Sequence, residues 1–248
     1  MESNQYTYMF EVEDRHWWYV GNHEIFLQTL QRKALLHDGI HFLDAGCGTG
    51  KWIEILKQSY HIHETGIDYN PLALEYAKTR GAFHLQLADI NTCVFADASF
   101  DLITSFDVIC NTNIDDVHVL RSFHTFLKDD GHLLLTVPAY QFLLSTHDTM
   151  VHQNKRYTKR QLKLLLESNG YEIVKISYCV CLLFPIAMIK RLLDKVFTSK
   201  NGDHNEVKMP GNMINHLFLF VMRFEKFLLR YISLPFGLSV MVLAKKAT

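Results

Sequence analysis

The chain has 248 residues, of which 48% are hydrophobic and 21% are charged, a balance typical of a globular core and not of a disordered protein. Its formal net charge of −1 gives no general attraction to nucleic acid or anionic lipid. Five cysteines without a C-x-x-C pair argue against a disulfide framework. Because neither a secretory signal nor an 18-residue apolar run is visible, we expect a cytoplasmic protein, with membrane association as the alternative.

Short apolar segments alternate with segments of helical spacing from residue 41 onward. The predicted strands are His41–Ala45, His63–Asp68, Phe83–Leu87, Phe100–Phe106, His132–Val137, Tyr171–Cys181 and Leu238–Ala244. The predicted helices of this region are Lys51–Ser59, one starting at Asn70-Pro71, Ile114–Leu127, and Thr158–Asn169 with a capping box. This order predicts an α/β fold with a Rossmann-like, doubly wound, mostly parallel seven-stranded sheet.

We expect one domain over residues 1–248. Its predicted parts are an N-terminal aromatic and helical lid (1–38), a cofactor-binding core (39–181), an apolar helical cap inserted before the last strand (182–236) and the final strand (237–248). Within the cap, Leu182–Phe197 and Asn212–Ile232 are predicted to be helical and are apolar on more than one face. Such helices could cover a substrate pocket, form a homodimer interface or contact a membrane surface.

The sharpest motif is the segment Asp44–Gly50, which follows the first predicted strand and opens a helix. It reads DAGCGTG, with glycines at alternate positions, a pattern that allows a tight turn and close approach to a ligand. The spacing is neither G-x-G-x-x-G nor a phosphate loop with Gly-Lys-Ser/Thr. It therefore disfavours a nicotinamide dehydrogenase, while a plain strand-to-helix turn remains the other interpretation.

Three further strand ends carry groups suited to a nucleoside. Asp68, after the second strand, can accept hydrogen bonds from both ribose hydroxyls. After the third strand, Asp89 can accept from an adenine amino group while Ile90 covers the ring. Phe106 and Asp107 end the fourth strand. Because the carboxyl ends of parallel strands meet at one edge, these groups predict a ligand crevice there.

These motifs resemble the class I S-adenosylmethionine-dependent methyltransferases. The glycine segment is similar to their D-x-G-x-G-x-G motif, and Phe100–Ile103 is similar to their FDlv segment. Glu13–Trp18 resembles the E-x-x-H-W-W start of a bacterial subgroup. The resemblance implies S-adenosylmethionine as cofactor and S-adenosylhomocysteine as product. The implied cofactor-binding residues are Asp44, Gly46, Cys47, Gly48, Gly50, Asp68, Tyr69, Ala88, Asp89, Ile90, Phe106 and Trp17.

Candidates for chemistry lie beyond the fifth strand. The predicted catalytic residues are His147, His152 and Tyr157, since a histidine can act as a base at neutral pH. Acceptor-binding candidates share aromatic or charged side chains near the expected crevice: Trp18, Tyr140, Asp148 and Arg156. No metal site is expected, because the group of His147, Asp148 and His152 lacks a fourth ligand. Trp17 and Trp18 could instead have a purely structural role and cover a hydrophobic edge of the sheet.

We therefore expect methyl transfer to an oxygen or nitrogen of a small, partly apolar or lipid-like molecule in biosynthesis. No nucleic acid partner is expected, and peripheral membrane contact or a homodimer is left open. One alternative is an RNA or protein methyltransferase, favoured only by the basic run from Lys155 to Lys163. Another is an S-adenosylmethionine-binding protein that does not methylate, because residues 107–111 read DVICN where the subgroup has D-V-x-E-H.

Overall fold

The computed structural model describes residues 3–145, 148, 152–189 and 209–247. Seven strands form one sheet in the order β3-β2-β1-β4-β5-β7-β6. Their bounds are β1 His41–Ala45, β2 His63–Asp68, β3 Leu85–Leu87, β4 Phe100–Phe106, β5 Leu127–Pro138, β6 Tyr171–Cys179 and β7 Ser239–Lys246. All pairings from β3 to β5 are parallel, and β7 runs antiparallel between β5 and β6. The predicted Rossmann-like sheet is therefore confirmed.

Seven α-helices have named bounds in the described part of the chain. They are α1 Ser3–Val12, α2 Trp17–Arg32, α3 Lys51–Lys57, α4 Pro71–Thr79, α5 Asp116–Phe126, α6 Lys159–Glu167 and α7 Asn212–Leu229. Residues 184–189 are also helical, and residues 190–197 of the predicted helix lie outside the described residues. The capping box at the start of α6 forms as predicted, since the side chains of Thr158 and Gln161 each accept from the other's backbone N–H.

Helices cover both faces of the sheet, and alternate strand residues point to opposite sides. Phe42 packs in a cluster with α2, α3 and α7, whereas its neighbour Leu43 packs with α5 and α6. Leu102 and Ile103 divide in the same way. Since a strand's side chains alternate, near-continuous apolar strands are what a sheet covered on both faces requires.

The predicted bounds differ from the structure mainly at β5 and β3. Strand β5 begins at Leu127, directly after α5, and not at His132. Its pairing with β4 shifts register between Phe100 and Leu102, so a bulge absorbs the polar residues before Gly131. Strand β3 is only three residues long. Neither difference moves the carboxyl ends of β1, β2 or β4, where the candidate site lies.

Candidate active site

The strand order reverses between β1 and β4, and ligands of such sheets bind at the carboxyl side of that point. The glycine segment follows β1 there, and Asp107 directly follows β4. Leu43 and Ile103 are register partners in this parallel pair. The fold therefore places the two motifs on neighbouring strands at one edge.

The glycine segment forms a tight turn that side chains could not occupy. Gly46 and Gly50 have φ angles of +86° and +78°, in the left-handed region that favours glycine. A Cβ on Gly46 would lie 2.3 Å from Cγ2 of Val108, and one on Gly50 would lie 2.7 Å from Cβ of Ala77. The loop is thus closely packed beneath as well as strongly curved, which is more than a plain turn requires.

Two buried carboxyls lie beside this loop. Oδ2 of Asp68 accepts from the N–H of Gly48 at 3.0 Å, and its Oδ1 accepts from the N–H of Asn70 at 2.9 Å. Oδ1 of Asp44 accepts from the hydroxyl of Thr104 at 2.7 Å. Burial, together with the nearby Asp68 carboxyl, raises the pKa of Asp44 to about 7. Burial also raises the pKa of Asp68, although its hydrogen bonds oppose the shift.

Helix α1, which belongs to the predicted N-terminal lid, lies across the glycine loop, although the sequence did not indicate which of its residues make the contact. The hydroxyl of Tyr6 donates to Oδ1 of Asp68 at 3.1 Å. The Cε of Met9 would lie 3.0 Å from a Cβ on Gly48. One residue beyond the helix, Glu13 accepts from the hydroxyl of Thr49. The aromatic N-terminal segment was the only available signal, and it pointed to the tryptophans instead.

An ion-pair network fixes the end of α1 to the core. Arg80 is nearly buried and contacts Glu13 at 3.0 Å, Asp14 at 3.1 Å and Glu54 at 2.7 Å. Its guanidinium also lies over the ring of Phe10, 4.7 Å from the centroid. Since a guanidinium with several partners holds them in a defined geometry, this network fixes the position of α1 over the loop.

The predicted adenine-side residues follow β3. The N–H of Ala88 donates to the carbonyl of Asp68 at 3.1 Å, so this turn lies beside the end of β2. Ile90 is buried, whereas Asp89 is exposed and accepts from the N–H and side chain of Asn91 at 2.8 and 3.0 Å. Tyr69, the other predicted contact here, is about half exposed. The predicted adenine-side residues therefore lie beside the carboxyl end of β2.

Phe106 and Asp107 end β4 at the switch point. The ring of Phe106 stacks on Phe26 of α2, with centroids 4.4 Å apart. Oδ1 of Asp107 accepts from the hydroxyl of Thr136 at 3.4 Å. Burial raises the pKa of Asp107 to about 6. The hydrogen bond from Thr136 and the Arg156 guanidinium lower this pKa, whereas the Asp148 carboxyl raises it. The sequence places Asp107 at the end of a strand but indicates no role for it, because its burial depends on tertiary packing.

The tandem tryptophans pack towards the late helix. The ring of Trp17 makes an edge contact with Phe218 of α7 at 5.3 Å and with Trp18 at 5.6 Å. The backbone N–H of Trp17 donates to the side chain of Asn215 at 2.9 Å. Burial is the main cause of the raised pKa of Tyr19, the residue after the two tryptophans. The nearby Asp107 carboxyl contributes to the same shift. The contacts to the glycine loop come from α1 and not from the tryptophans.

Two of the three predicted catalytic residues are described by the structure, and they occupy different environments. His147 lies outside the described residues. His152 is exposed and has a φ angle of +62°, and its carbonyl accepts from the backbone and hydroxyl of Thr112. Tyr157 is buried, and its hydroxyl donates to Asp116 of α5 at 2.5 Å. Burial and this carboxyl raise the pKa of Tyr157 well above its usual range.

Two of the predicted acceptor-binding residues beyond β5, Asp148 and Arg156, form a buried ion pair, whereas Tyr140 is only partly buried. Arg156 pairs with Asp148 at 2.5 Å and donates to the carbonyl of Ala139 at 2.8 Å. Its Nε is buried without a hydrogen-bond partner among the described residues. The ring of Tyr140 stacks on Tyr178, with centroids 5.2 Å apart. Asp148 also accepts from Ser145 at 2.7 Å, so its charge is shared by arginine and serine.

A protein-family model described as a methyltransferase domain matches residues 36–199. Phosphoethanolamine N-methyltransferase of Triticum aestivum is 35% identical over 106 residues, which cover 41% of this chain and 21% of that protein. A probable tRNA methyltransferase 9B of Mus musculus is 26% identical over 161 residues, or 64% of this chain and 31% of that protein. The matched regions thus span about a fifth to a third of these relatives.

A putative sarcosine dimethylglycine methyltransferase from Galdieria sulphuraria has a similar structure. Its TM-score is 0.63 at 12% sequence identity, and the match covers 92% of this chain and 86% of that chain. At this identity the likeness concerns the fold. Among the described residues, no group of histidine, cysteine and carboxylate side chains could hold a metal ion.

Proposed function

Since the chain belongs to the class I S-adenosylmethionine-dependent methyltransferases, we propose that it transfers a methyl group to an oxygen or nitrogen of a small, partly apolar or lipid-like acceptor. The observation that carries this proposal is the partly buried Asp107 at the end of β4, beside the glycine loop of β1. An acidic group at this place can take a proton from an acceptor hydroxyl or ammonium. Phe106 and Tyr19 lie near Asp107, and their aromatic rings favour a small, partly apolar acceptor.

The residues of the glycine edge fit the cofactor chemically. A ribose diol donates hydrogen bonds, and Asp68 offers two buried oxygens, one of which now accepts from the Tyr6 hydroxyl. The turn after β3 adds an acceptor at Asp89 and an apolar side chain at Ile90. A sulfonium is cationic, and the carboxyls of Asp44 and Asp68 make this edge acidic.

When bound, S-adenosylmethionine supplies an electrophilic methyl group and leaves as neutral S-adenosylhomocysteine. The protein's own task is to align the acceptor, keep water out and take up the acceptor proton. Asp107 is ionised at neutral pH if its pKa is about 6, so it can act as that base. Arg156 and Asp148 lie close enough to Asp107 to influence its charge, and Arg156 can hold an anionic acceptor group.

The macromolecular alternative depends on the basic run and on the likeness to tRNA methyltransferases. Four of the five cations in that run have intramolecular contacts. Lys155 pairs with Asp116, Arg156 with Asp148 and Lys163 with Glu167, and Lys159 lies over the ring of Tyr178. Because these cations are already partnered, the run offers less charge for phosphate binding than the sequence suggested.

The test is transfer of a radiolabelled methyl group from S-adenosylmethionine to a panel of acceptors. The panel contains phosphoethanolamine, amphiphilic amines and alcohols, bulk tRNA and total protein. We expect label in a small molecule and none in the macromolecules, and Asp107→Asn should lower its rate of appearance by about a hundredfold or more. Label in tRNA or protein alone would favour the macromolecular alternative. Binding of S-adenosylhomocysteine without transfer to any acceptor would favour a protein that does not methylate.

A further inference from the structure

Helix α7 buries two polar side chains against the protein and exposes a row of apolar side chains to solvent, a combination that an ordinary surface helix avoids. Its buried residues are Asn215, Met222, Glu225 and Leu229. Of these, two are polar. A helix that exposes a row of apolar side chains marks an interaction surface when its contacts hold it in one orientation about its own axis.

Hydrogen bonds fix that rotation. The Asn215 side chain accepts from the N–H of Trp17 at 2.9 Å and donates to the carbonyl of Arg15 at 2.8 Å. Half-way along, Met222 packs so closely on α2 that a Cβ on Gly21 would lie 2.8 Å from its Cβ.

Glu225 supplies the third anchor. It is fully buried, and its carboxylate accepts from the backbone N–H groups of Val180, Cys181 and Leu182, at 2.5, 2.7 and 3.0 Å. Because an unpartnered buried carboxylate is costly, turning the helix would break three charge-assisted hydrogen bonds at once. The outward face of α7 is therefore a fixed feature of the fold.

That outward face carries a continuous apolar stripe. Its members follow one another at alternate spacings of four and three residues and expose 50–84% of their surface: Met213, Leu217, Phe220, Phe224 and Phe227. Tyr231, just after the helix, extends the stripe by an edge contact with Phe227 at 5.4 Å. Residues three and four apart lie on one face of a helix, so the stripe runs along its whole length.

The charge beside the stripe is basic. Arg223 and Arg230 lie seven residues apart along one side of it, in line with His216. The sole acidic residue of α7 is Glu225, which points inward. Glu24 of α2 pairs with Arg223 at 2.9 Å and with Lys226 at 2.5 Å, so one carboxylate faces two cations. The exposed side of the helix is thus apolar with a net positive edge.

This charge pattern disfavours a second copy of the chain as the occupant. In an antiparallel pair of α7 helices the cations of one copy would face those of the other. In a parallel pair they would face Ile214, Val221 and Leu228, on the other side of the stripe. Neither arrangement gives the complementary charges that flank a paired helix.

We propose that α7 is an interfacial helix that docks this protein on an anionic lipid surface. The phenylalanines and leucine of the stripe enter the boundary between headgroups and acyl chains, and the basic edge faces anionic headgroups. Among the described residues, no helix is both long and apolar enough to cross a membrane, so α7 lies on the bilayer. The proposal goes beyond the methyl transfer proposed above and needs neither cofactor nor acceptor.

The test is sedimentation of the full chain with vesicles of phosphatidylcholine alone or with about 30 mol% phosphatidylglycerol. We expect binding to the anionic vesicles, weaker binding to the neutral ones and a loss at high salt, which screens the charges. Absence of binding to both kinds of vesicle would overturn the proposal, because it would show that the stripe does not bind lipid.

Matched variants connect binding to the stripe. The double variant Phe220→Glu and Phe227→Glu should weaken vesicle binding by about tenfold or more, and Arg230→Gln should weaken it only at low salt. Leu164→Glu, an equally exposed apolar position on α6, should leave it unchanged. Thermal melting shows that each variant is folded. Unchanged binding of the double variant would refute lipid as the occupant. So would light scattering that finds a dimer for the wild type and a monomer for the double variant.

Discussion

The hydroxyl of Tyr6 donates a hydrogen bond to Oδ1 of Asp68 over 3.1 Å, across 62 positions of the chain. This contact joins α1 to the carboxylate that we assign to the ribose. If Asp68 binds the ribose as proposed, the ribose hydroxyls and Tyr6 share one acceptor, and α1 lies next to the cofactor.

Asp68→Ala is expected to weaken S-adenosylhomocysteine binding by at least about tenfold, because hydrogen bonds to a charged group contribute about 1.5–3 kcal/mol. Isothermal titration calorimetry measures the change. Asp101→Ala is the matched control, since Asp101 also carries a carboxylate on the sheet but accepts from His41 and Lys128 at the opposite edge. Equal affinity of the wild type and Asp68→Ala would show that the ribose is held elsewhere.

The elements around this carboxylate could be read from sequence because local signals agree there. Strands β1, β2 and β4 were predicted with the bounds that the structure has. Strand β4 is a mostly apolar run, and β1 and β2 are short segments that each end directly before turn residues. The sequence predicted a helical N-terminal lid, but the contacts that α1 makes could not be predicted. Tyr6 reaches Asp68 only through tertiary packing, and nothing in the polar start of the chain indicates which loop it covers.

Gly46→Ala is expected to abolish cofactor binding and to lower the free energy of unfolding by about 2–4 kcal/mol. Both the positive φ and the contact with Val108 oppose a Cβ at this position. Gly39→Ala separates the two causes, because Gly39 has a φ of +81° but nothing lies within 4 Å of its Cβ position. It should lose only about 1 kcal/mol and keep its affinity.

Urea unfolding and calorimetry on both glycine variants give the two quantities. If Gly46→Ala binds S-adenosylhomocysteine as the wild type does, close approach of the loop to the cofactor is not needed. If Gly39→Ala is as unstable as Gly46→Ala, the strain comes from φ alone and the contact with Val108 has no weight.

The acceptor side was less predictable than the cofactor side. His147 and His152 were chosen for their intrinsic pKa, which needs no fold. Asp107 has an ordinary carboxyl in the sequence, and only burial near Thr136 makes its proton uptake useful near neutral pH. A perturbed group in a crevice is identified by its environment, so this candidate required the structure.

The rate of methyl transfer should rise with pH up to about 6 and level off above it, because Asp107 must be ionised to accept a proton. Asp107→Asn should lower kcat/KM by about a hundredfold or more and remove the rise. The affinity for S-adenosylhomocysteine should stay unchanged. Asp97→Asn, at an exposed aspartate, controls for the loss of one charge. A wild-type profile that is retained in Asp107→Asn would assign the base to another residue.

Glu225→Gln should lower the free energy of unfolding by about 2–4 kcal/mol. The three backbone N–H donors divide between the two carboxylate oxygens. An amide keeps one acceptor oxygen and places an N–H₂ group where the other oxygen accepts, so at least one donor is left buried and unpaired. Burial raises the pKa of Glu225, while the same three donors oppose the shift and favour the carboxylate. Glu167→Gln, at an exposed position 3.6 Å from Lys163, should change the free energy by less than about 0.5 kcal/mol. Urea unfolding at neutral pH measures both variants, and equal stability of the two would mean that the Glu225 carboxylate does not anchor α7.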